Sequence, residues 1–263
     1  MQQSAASLGL VRAQAPLVHC ITNYVAMNIS ANTLLAGGAS PAMVHSPEEA
    51  GEFVSLAGAL SVNMGTPSPD WVAGMLMAVE AASTAGTPWV LDPVAHMATA
   101  YRRRIVGDLL KHRPTVIRAN ASEILALDGV SSRARGVDAG DRVEDAQGAA
   151  RRLATAHGCV VAVTGETDFI SDGQWSFTIR GGSSWMPRVT AMGCSLSAFV
   201  AAMLAVNRNA LEATVAALDV FKVCGAIAHE KADGPGSFQV SFLDQLAGVG
   251  PEEIEKHSMV EPA

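Results

Sequence analysis

A chain of 263 residues, 49% hydrophobic and only 16% charged, is long enough to bury a large core within one α/β domain and leaves little charge to cover its surface. Its 25 acidic and 18 basic residues give a formal charge of −7, and no basic run exceeds Arg102-Arg103-Arg104, which excludes the electrostatic footprint of a nucleic-acid-binding protein. The longest uncharged apolar run, Met192–Val206, falls short of the roughly 18 residues a membrane span requires, so no membrane partner is expected.

In chain order, the start MQQSAASLGLVRAQAP lacks the basic segment and apolar core of a signal peptide. Strands are then predicted at Leu17–Ile21, Ser40–Val44, Ala59–Val62, Trp89–Leu91, Thr115–Ile117 and Val160–Thr164, where short apolar runs hold β-branched residues. Helices are predicted between them at Val25–Leu35, Pro47–Leu56, Asp70–Ala85 and Val143–His157. Strand followed by helix, repeated, predicts an α/β fold with a mostly parallel central sheet and helices on both faces. Asp168–Ser171 and Trp175–Ile179 flank a Ser171-Asp172-Gly173 turn and predict a hairpin added to that sheet. Leu196, Phe199, Val200, Met203 and Leu204 recur at helical spacing, and Leu211, Val215, Leu218 and Phe221 continue the pattern, so two packed helices are expected to close the domain. Gly129–Asp141 alone resembles a linker, and with no internal duplication a single domain over residues 1–263 is expected.

Ligands of open α/β sheets bind outside the carboxyl ends of the strands, which directs attention to polar residues just past each predicted strand. Asn23, Asp92, Asn120 to Glu123, and Thr164-Gly165-Glu166 stand there. Asp92 precedes Pro93, which cannot continue a ladder, so its carboxylate either caps a loop or faces a ligand. Asn120 and Glu123 have the spacing of a capping box. The alternative is that Asp92 and Glu123 offer oxygen ligands, through water, to a Mg²⁺ that shields phosphates. Met43 alone reads as core filler, His19 as a hydrogen-bonded structural histidine, and Thr164-Gly165-Glu166 as a turn.

Gly193-Cys194 opens an apolar helix. Glycine permits close backbone approach, and the free amides and dipole of a helix start form an anion site for which phosphate is the natural guest. The same field favours thiolate, while the opposing reading is a small buried cysteine. No glycine-lysine pair, G-x-S-x-G, H-E-x-x-H or early G-x-G-x-x-G occurs, so a phosphoryl transferase here needs another phosphate cradle, which the helix at Gly193 can supply. The four cysteines form no C-x-x-C pair, which predicts a reducing, cytoplasmic setting.

Taken in order, PLVHCITNYV, ANTLLAGGASPAMV, PWVLDPVA, IRANASEI, VVAVTGETDFISDG, VTAMGCSLSA and DGPGSF resemble the landmarks of the hydroxyethylthiazole kinases, from about residue 16 to 242. The resemblance implies a ribokinase-like fold and transfer of the γ-phosphate of ATP to the hydroxyethyl group of 4-methyl-5-(2-hydroxyethyl)thiazole, with Mg²⁺, in thiamine salvage. It also implies a cytoplasmic homotrimer with active sites between subunits, in keeping with the low charged fraction. Carried over by residue, Met43, Asn23 and Ala191 are placed at the thiazole, Arg118, Thr164 and Gly193 at ATP, and Asp92 and Glu123 at Mg²⁺ and phosphates. Cys194 stands where ribokinase relatives carry an aspartate base. An unperturbed thiol, with a pKa of about 8.5, is a weak base unless the helix field lowers that value, so Cys194 is expected to orient the alcohol and accept its proton late.

Two departures from the family pattern stand out. The usual GTGC reads Ala191-Met192-Gly193-Cys194, and the amide cradle survives this change if Ala191 does not need a positive φ. The glycines usual after Asp92-Pro93 are replaced by Val94-Ala-His-Met-Ala-Thr99, a change in which His96 is the residue able to alter the phosphate side of the pocket. The competing readings are a kinase for hydroxymethylpyrimidine or pyridoxal, an ADP-dependent hydrate dehydratase with aspartate expected at position 194, a thiol hydrolase pairing Cys194 with His19, His45 or His96, and a non-catalytic thiazole- or nucleotide-binding relative.

Overall fold

The alternation of strand and helix is carried into a computed structural model of the protein, which describes residues 2–129 and 141–263. The chain opens with helix α1 (Gln2–Gln14), enters the sheet at β1 (Leu17–Ile21), crosses α2 (Met27–Gly37) to β2 (Ser40–Ala42), and returns through α3 (Ala50–Phe53) to β3 (Ala59–Asn63). Helix α4 (Pro69–Ala85) leads to β4 (Trp89–Asp92), α5 (Ala100–Leu110) to β5 (Val116–Asn120), and the pair α6 (Ala121–Leu127) and α7 (Val143–His157) to β6 (Val160–Thr164). The hairpin β7 (Asp168–Ser171) and β8 (Ser176–Ile179) follows, then α8 (Met192–Val206), α9 (Ala210–Glu230), α10 (Pro235–Gly248), α11 (Pro251–His257) and a short last strand, β9 (Val260–Pro262).

Among the described residues the strands form one nine-stranded sheet in the order β2-β1-β3-β4-β5-β6-β7-β8-β9. Neighbours are parallel from β2 through β6 and antiparallel from β6 through β9. Alternation along each strand divides the core into two layers. Val90, Val116, Val160 and Ala162 join the layer of α1, α2, α8, α9 and α10, whereas Leu91, Ile117, Val161 and Val163 join that of α4, α5 and α7. The same alternation turns Asp92 and Arg118 toward the α8 layer.

Several boundaries move for identifiable reasons. Helix α2 starts two residues later than the predicted Val25, because the Asn23 side chain takes the amides of Val25 and Ala26, both at 3.0 Å. The predicted helix over Pro47–Leu56 shrinks to one turn, Ala50–Phe53, followed by a 3-10 turn at Val54–Leu56. Strands β3, β4 and β5 run past their apolar residues to include Asn63, Asp92 and Asn120. Two helices and a strand follow the two helices expected to close the domain; Gly234-Pro235 and Gly250-Pro251 are the starts of those helices, with proline in the first turn. Residues 130–140, nearly all of the predicted linker, lie outside the described residues.

Candidate active site

The connection from β1 leads to β2 on one side, and the chain then crosses to β3 on the other, so a crevice opens between the carboxyl ends of β1 and β3. Asn23 fills it. Its Nδ2 donates to Asn63 Oδ1 at 2.7 Å and to Cys194 Sγ at 3.6 Å, while its Oδ1 caps the next turn. A Cβ at position 65 would lie 2.6 Å from Asn23 Nδ2, so the loop can close over this amide only with Gly65 there. Sheet register sets Asn63 beside Asp92, and Asn63 Nδ2 donates to Asp92 Oδ2 at 2.8 Å. Ser197 Oγ on α8 donates to the same oxygen at 2.8 Å, and Arg118 Nη2 reaches both Asp92 oxygens at 3.3 Å. Asp92 is thus wholly buried and surrounded by donors.

The start of α8 lies over this network. A Cβ at Gly193 would stand 2.5 Å from Arg118 Nη1, so the buried guanidinium is what requires glycine at 193. The first bond within the helix joins the Ser195 amide to the Ala191 carbonyl, which leaves the amides of Met192, Gly193 and Cys194 without partners in the helix. Ala191 has φ 61° and ψ 17°. The position therefore does use the left-handed region, contrary to the condition under which alanine was expected to be harmless, and the cradle is built with strain.

Cys194 differs from expectation as well. Burial first, and then the Asp92 charge, pushes its thiol up to about 11, against the lowering sought from the helix field. Its polar partners are the side-chain amides of Asn23 and Asn63. The histidines offered as a base have other partners: His19 Nε2 meets the Val44 carbonyl at 2.6 Å, His45 stacks on Trp71 with centroids 3.9 Å apart, and His96 Nδ1 faces the Pro93 carbonyl at 3.3 Å. His96 is 3% exposed and its Nδ1 braces the loop after β4.

Glu123 forms the expected capping box. Asn120 Oδ1 accepts the Glu123 amide at 2.9 Å, and Glu123 Oε2 accepts the Asn120 amide at 3.0 Å. Its other oxygen accepts the Ala95 amide at 2.8 Å, and Ala95, with φ 51°, is left-handed too. Both departures from the family's glycines thus fall on left-handed backbone. Burial, then the nearby Asp92 charge, pushes the Glu123 carboxyl up. A cation between the two carboxylates would relieve this repulsion. Among the described residues no three His, Cys, Asp or Glu side chains form a metal-binding group. The donor set fits a cation that keeps most of its waters and takes the rest of its oxygens from phosphates, as Mg²⁺ does.

On the other side of Arg118 lies a cavity of about 740 Å³, walled in part by Arg118, Thr164, Gly165, Gly182, Gly193 and Lys222. Arg118, Thr164 and Gly193 meet here; Thr164 Oγ1 donates to the Ala119 carbonyl at 3.3 Å. Met43 and Ala191 pack at the margin of the α8 apolar layer, outside the cavity wall. The sequence reading passes over Asn63, Ser197, Asp168 and Lys222. Asn63 had a signal, being polar at the end of an apolar strand. So had Lys222, which stands four residues after Leu218 and seven after Val215, on the apolar stripe of α9.

The model of the hydroxyethylthiazole kinase family matches residues 8–252. A hydroxyethylthiazole kinase of Gemmatimonas aurantiaca is 56% identical over 250 residues, covering 95% of this chain and 90% of that protein. One from Cereibacter sphaeroides is 55% identical over 256 residues, covering 97% of each. Among solved structures, the hydroxyethylthiazole kinase protein from Pyrococcus horikoshii OT3 is similar with a TM-score of 0.92 at 37% identity, and both chains are covered in full. A pyridoxal kinase from Staphylococcus aureus, solved with AMP-PCP and pyridoxal, has a TM-score of 0.65 at 17% identity over 94% of this chain and 98% of that one, a likeness of fold alone.

Proposed function

The chain belongs to the hydroxyethylthiazole kinase family, and on that premise we propose that it transfers the γ-phosphoryl group of ATP to the hydroxyethyl oxygen of 4-methyl-5-(2-hydroxyethyl)thiazole, in thiamine salvage. One observation carries the reading at the level of the site: a thiol held by two asparagine amides sits at the open start of α8, beside a cavity of about 740 Å³ backed by a buried arginine. The alcohol is placed at Cys194 and Asn23, with Met43 and Ala191 toward the thiazole ring. ATP is placed in the cavity, against Arg118, Thr164 and Gly193.

Phosphoryl transfer asks a protein for position and for compensation of charge more than for covalent chemistry. The amides of Met192, Gly193 and Cys194 supply the second, aimed where the transferred group passes, and cost no reorganisation at that moment. Arg118 adds a fixed positive charge, held in place by Asp92. Asp92 and Glu123 would hold Mg²⁺ through water, and the bound ion neutralises phosphate charge. The alcohol must be aligned with the phosphorus, and Asn23 is fixed for that task by four hydrogen bonds. A protonated thiol at 194 orients the alcohol, whose oxygen bonds to the γ-phosphorus as the bond to the ADP oxygen breaks, and the alcohol's proton passes late to an oxygen of the transferred phosphoryl group and from there to water.

A cytoplasmic homotrimer is part of the proposal. In support, β2 lies at the edge of the sheet, and Tyr24, Val25 and Leu35 nearby are more than half exposed. No helix among the described residues is long and apolar enough to cross a membrane. Incubation of the purified protein with ATP, Mg²⁺ and a panel of alcohols tests the reaction. ADP is expected to form in proportion to added thiazole alcohol, and ADP formation indifferent to it would end the proposal.

A further inference from the structure

Helix α9 turns Lys222 inward, where it is 6% exposed. Its Nζ donates to the Gly165 carbonyl at 2.7 Å and the Glu166 carbonyl at 2.9 Å, and pairs with Asp168 Oδ1 at 3.3 Å. An ammonium has three protons, and all three have protein acceptors, so Lys222 holds none in reserve for a phosphate. Asp168 Oδ1 also accepts the Gly165 amide at 2.9 Å, so Gly165 is held by both its amide and its carbonyl. The lysine stem does a second job. A Cβ at Gly182 would lie 2.9 Å from Lys222 Cδ, and Gly182, with φ 81°, rests its backbone directly on that stem. The turn at residues 164–166 and the Gly181-Gly182 stretch are both walls of the cavity beside Arg118.

We propose that Lys222, with Asp168, is a positioning residue for the nucleotide: one buried side chain braces two walls of the cavity and sets the affinity for ATP without touching the reacting atoms. The inference rests on the reading of that cavity as the nucleotide site. The hydrogen bonds and ion pair described for Lys222 and Asp168 go to Gly165, Glu166 and each other, so the bracing acts on the cavity walls given to ATP and leaves the thiazole end alone. The site also explains why glycine is needed at 182: any side chain there would displace the stem.

The test uses Lys222→Met, which keeps an unbranched apolar stem but removes the ammonium, and the double variant K222M/D168N, which leaves no unpaired buried charge and stays folded if the single variant does not. Binding of a non-hydrolysable ATP analogue with Mg²⁺ is measured by calorimetry alongside steady-state kinetics. The analogue Kd and the KM for ATP are expected to rise about tenfold, while kcat and the KM for the thiazole alcohol stay within about twofold. An unchanged analogue Kd in the folded double variant, or equal rises in KM for both substrates, would overturn the proposal. A wild-type protein that fails to bind the analogue overturns instead the nucleotide reading of the cavity.

Discussion

Ala191 holds a backbone conformation that glycine adopts freely and alanine resists. The left-handed region costs alanine roughly 1–2 kcal/mol, and glycine gives back about 0.5–1 kcal/mol through the entropy of the unfolded chain. Ala191→Gly is therefore expected to stabilise the protein by up to about 1 kcal/mol, read as a higher denaturant midpoint with unchanged slope. A loss of about 1 kcal/mol, as for glycine in an ordinary helix, would show that position 191 carries no strain. Cys194 poses the complementary question of chemistry. With its thiol pushed up to about 11, the group is protonated across the neutral range, and no limb from thiol ionisation should appear in the rate profile between pH 7 and pH 9. Because a true general base is worth about 10²–10⁴-fold, Cys194→Ser is expected to keep kcat within about tenfold. A fall of a hundredfold or more would restore the base.

At the scale of elements, α6 shows how one residue serves fold and site together. Glu123 closes the capping box with Asn120 and also receives the Ala95 amide from the loop after β4. Its carboxyl is pushed up in the folded protein, so the native state holds that proton more tightly than the unfolded chain, where it titrates near 4.3. The unfolded state then binds fewer protons above that value, and the contribution of Glu123 to stability falls as pH rises through the window up to its folded value. Glu123→Gln removes this slope but can accept only one of the two amides, Asn120 or Ala95, that the carboxylate accepts, so the unfolding midpoint in Mg²⁺-free buffer should lose its Glu123-dependent fall with rising pH, while the Mg²⁺ activation midpoint moves up by about tenfold. An unmoved Mg²⁺ titration would reduce Glu123 to its capping role.

The elements also show what sequence can carry. Asp92, Asn120 and Glu123 were legible because a strand end, a following proline and a cap spacing are local patterns. Asn63 showed only as a polar residue ending an apolar strand, since its role comes from a register that pairs it with Asp92 on the neighbouring strand. Lys222 escaped for a related reason. Its place on the apolar stripe of α9 was visible, but its acceptors lie 54 to 57 positions away in the chain, on a turn that no periodicity locates. The left-handed state of Ala191 and Ala95 was likewise hidden, because alanine carries no local sign of such a backbone.

For the whole molecule, the mostly parallel sheet and its two-sided helical cover followed from the strand and helix alternation, whereas the strand order and the terminal additions did not, because alternation alone fixes no neighbours and glycine-proline pairs mark helix starts as well as breaks. The open β2 edge and the exposed Tyr24, Val25 and Leu35 lead to the expectation that sedimentation equilibrium gives three times the mass of one chain; a monomer at working concentrations would contradict the trimer. The fate of the γ-phosphoryl group separates transfer to the alcohol from hydrolysis. With ATP labelled at the γ-phosphorus, Mg²⁺ and 4-methyl-5-(2-hydroxyethyl)thiazole, label is expected in the thiazole monophosphate, one equivalent for each ADP formed, and label found only in inorganic phosphate would rule out transfer to the alcohol.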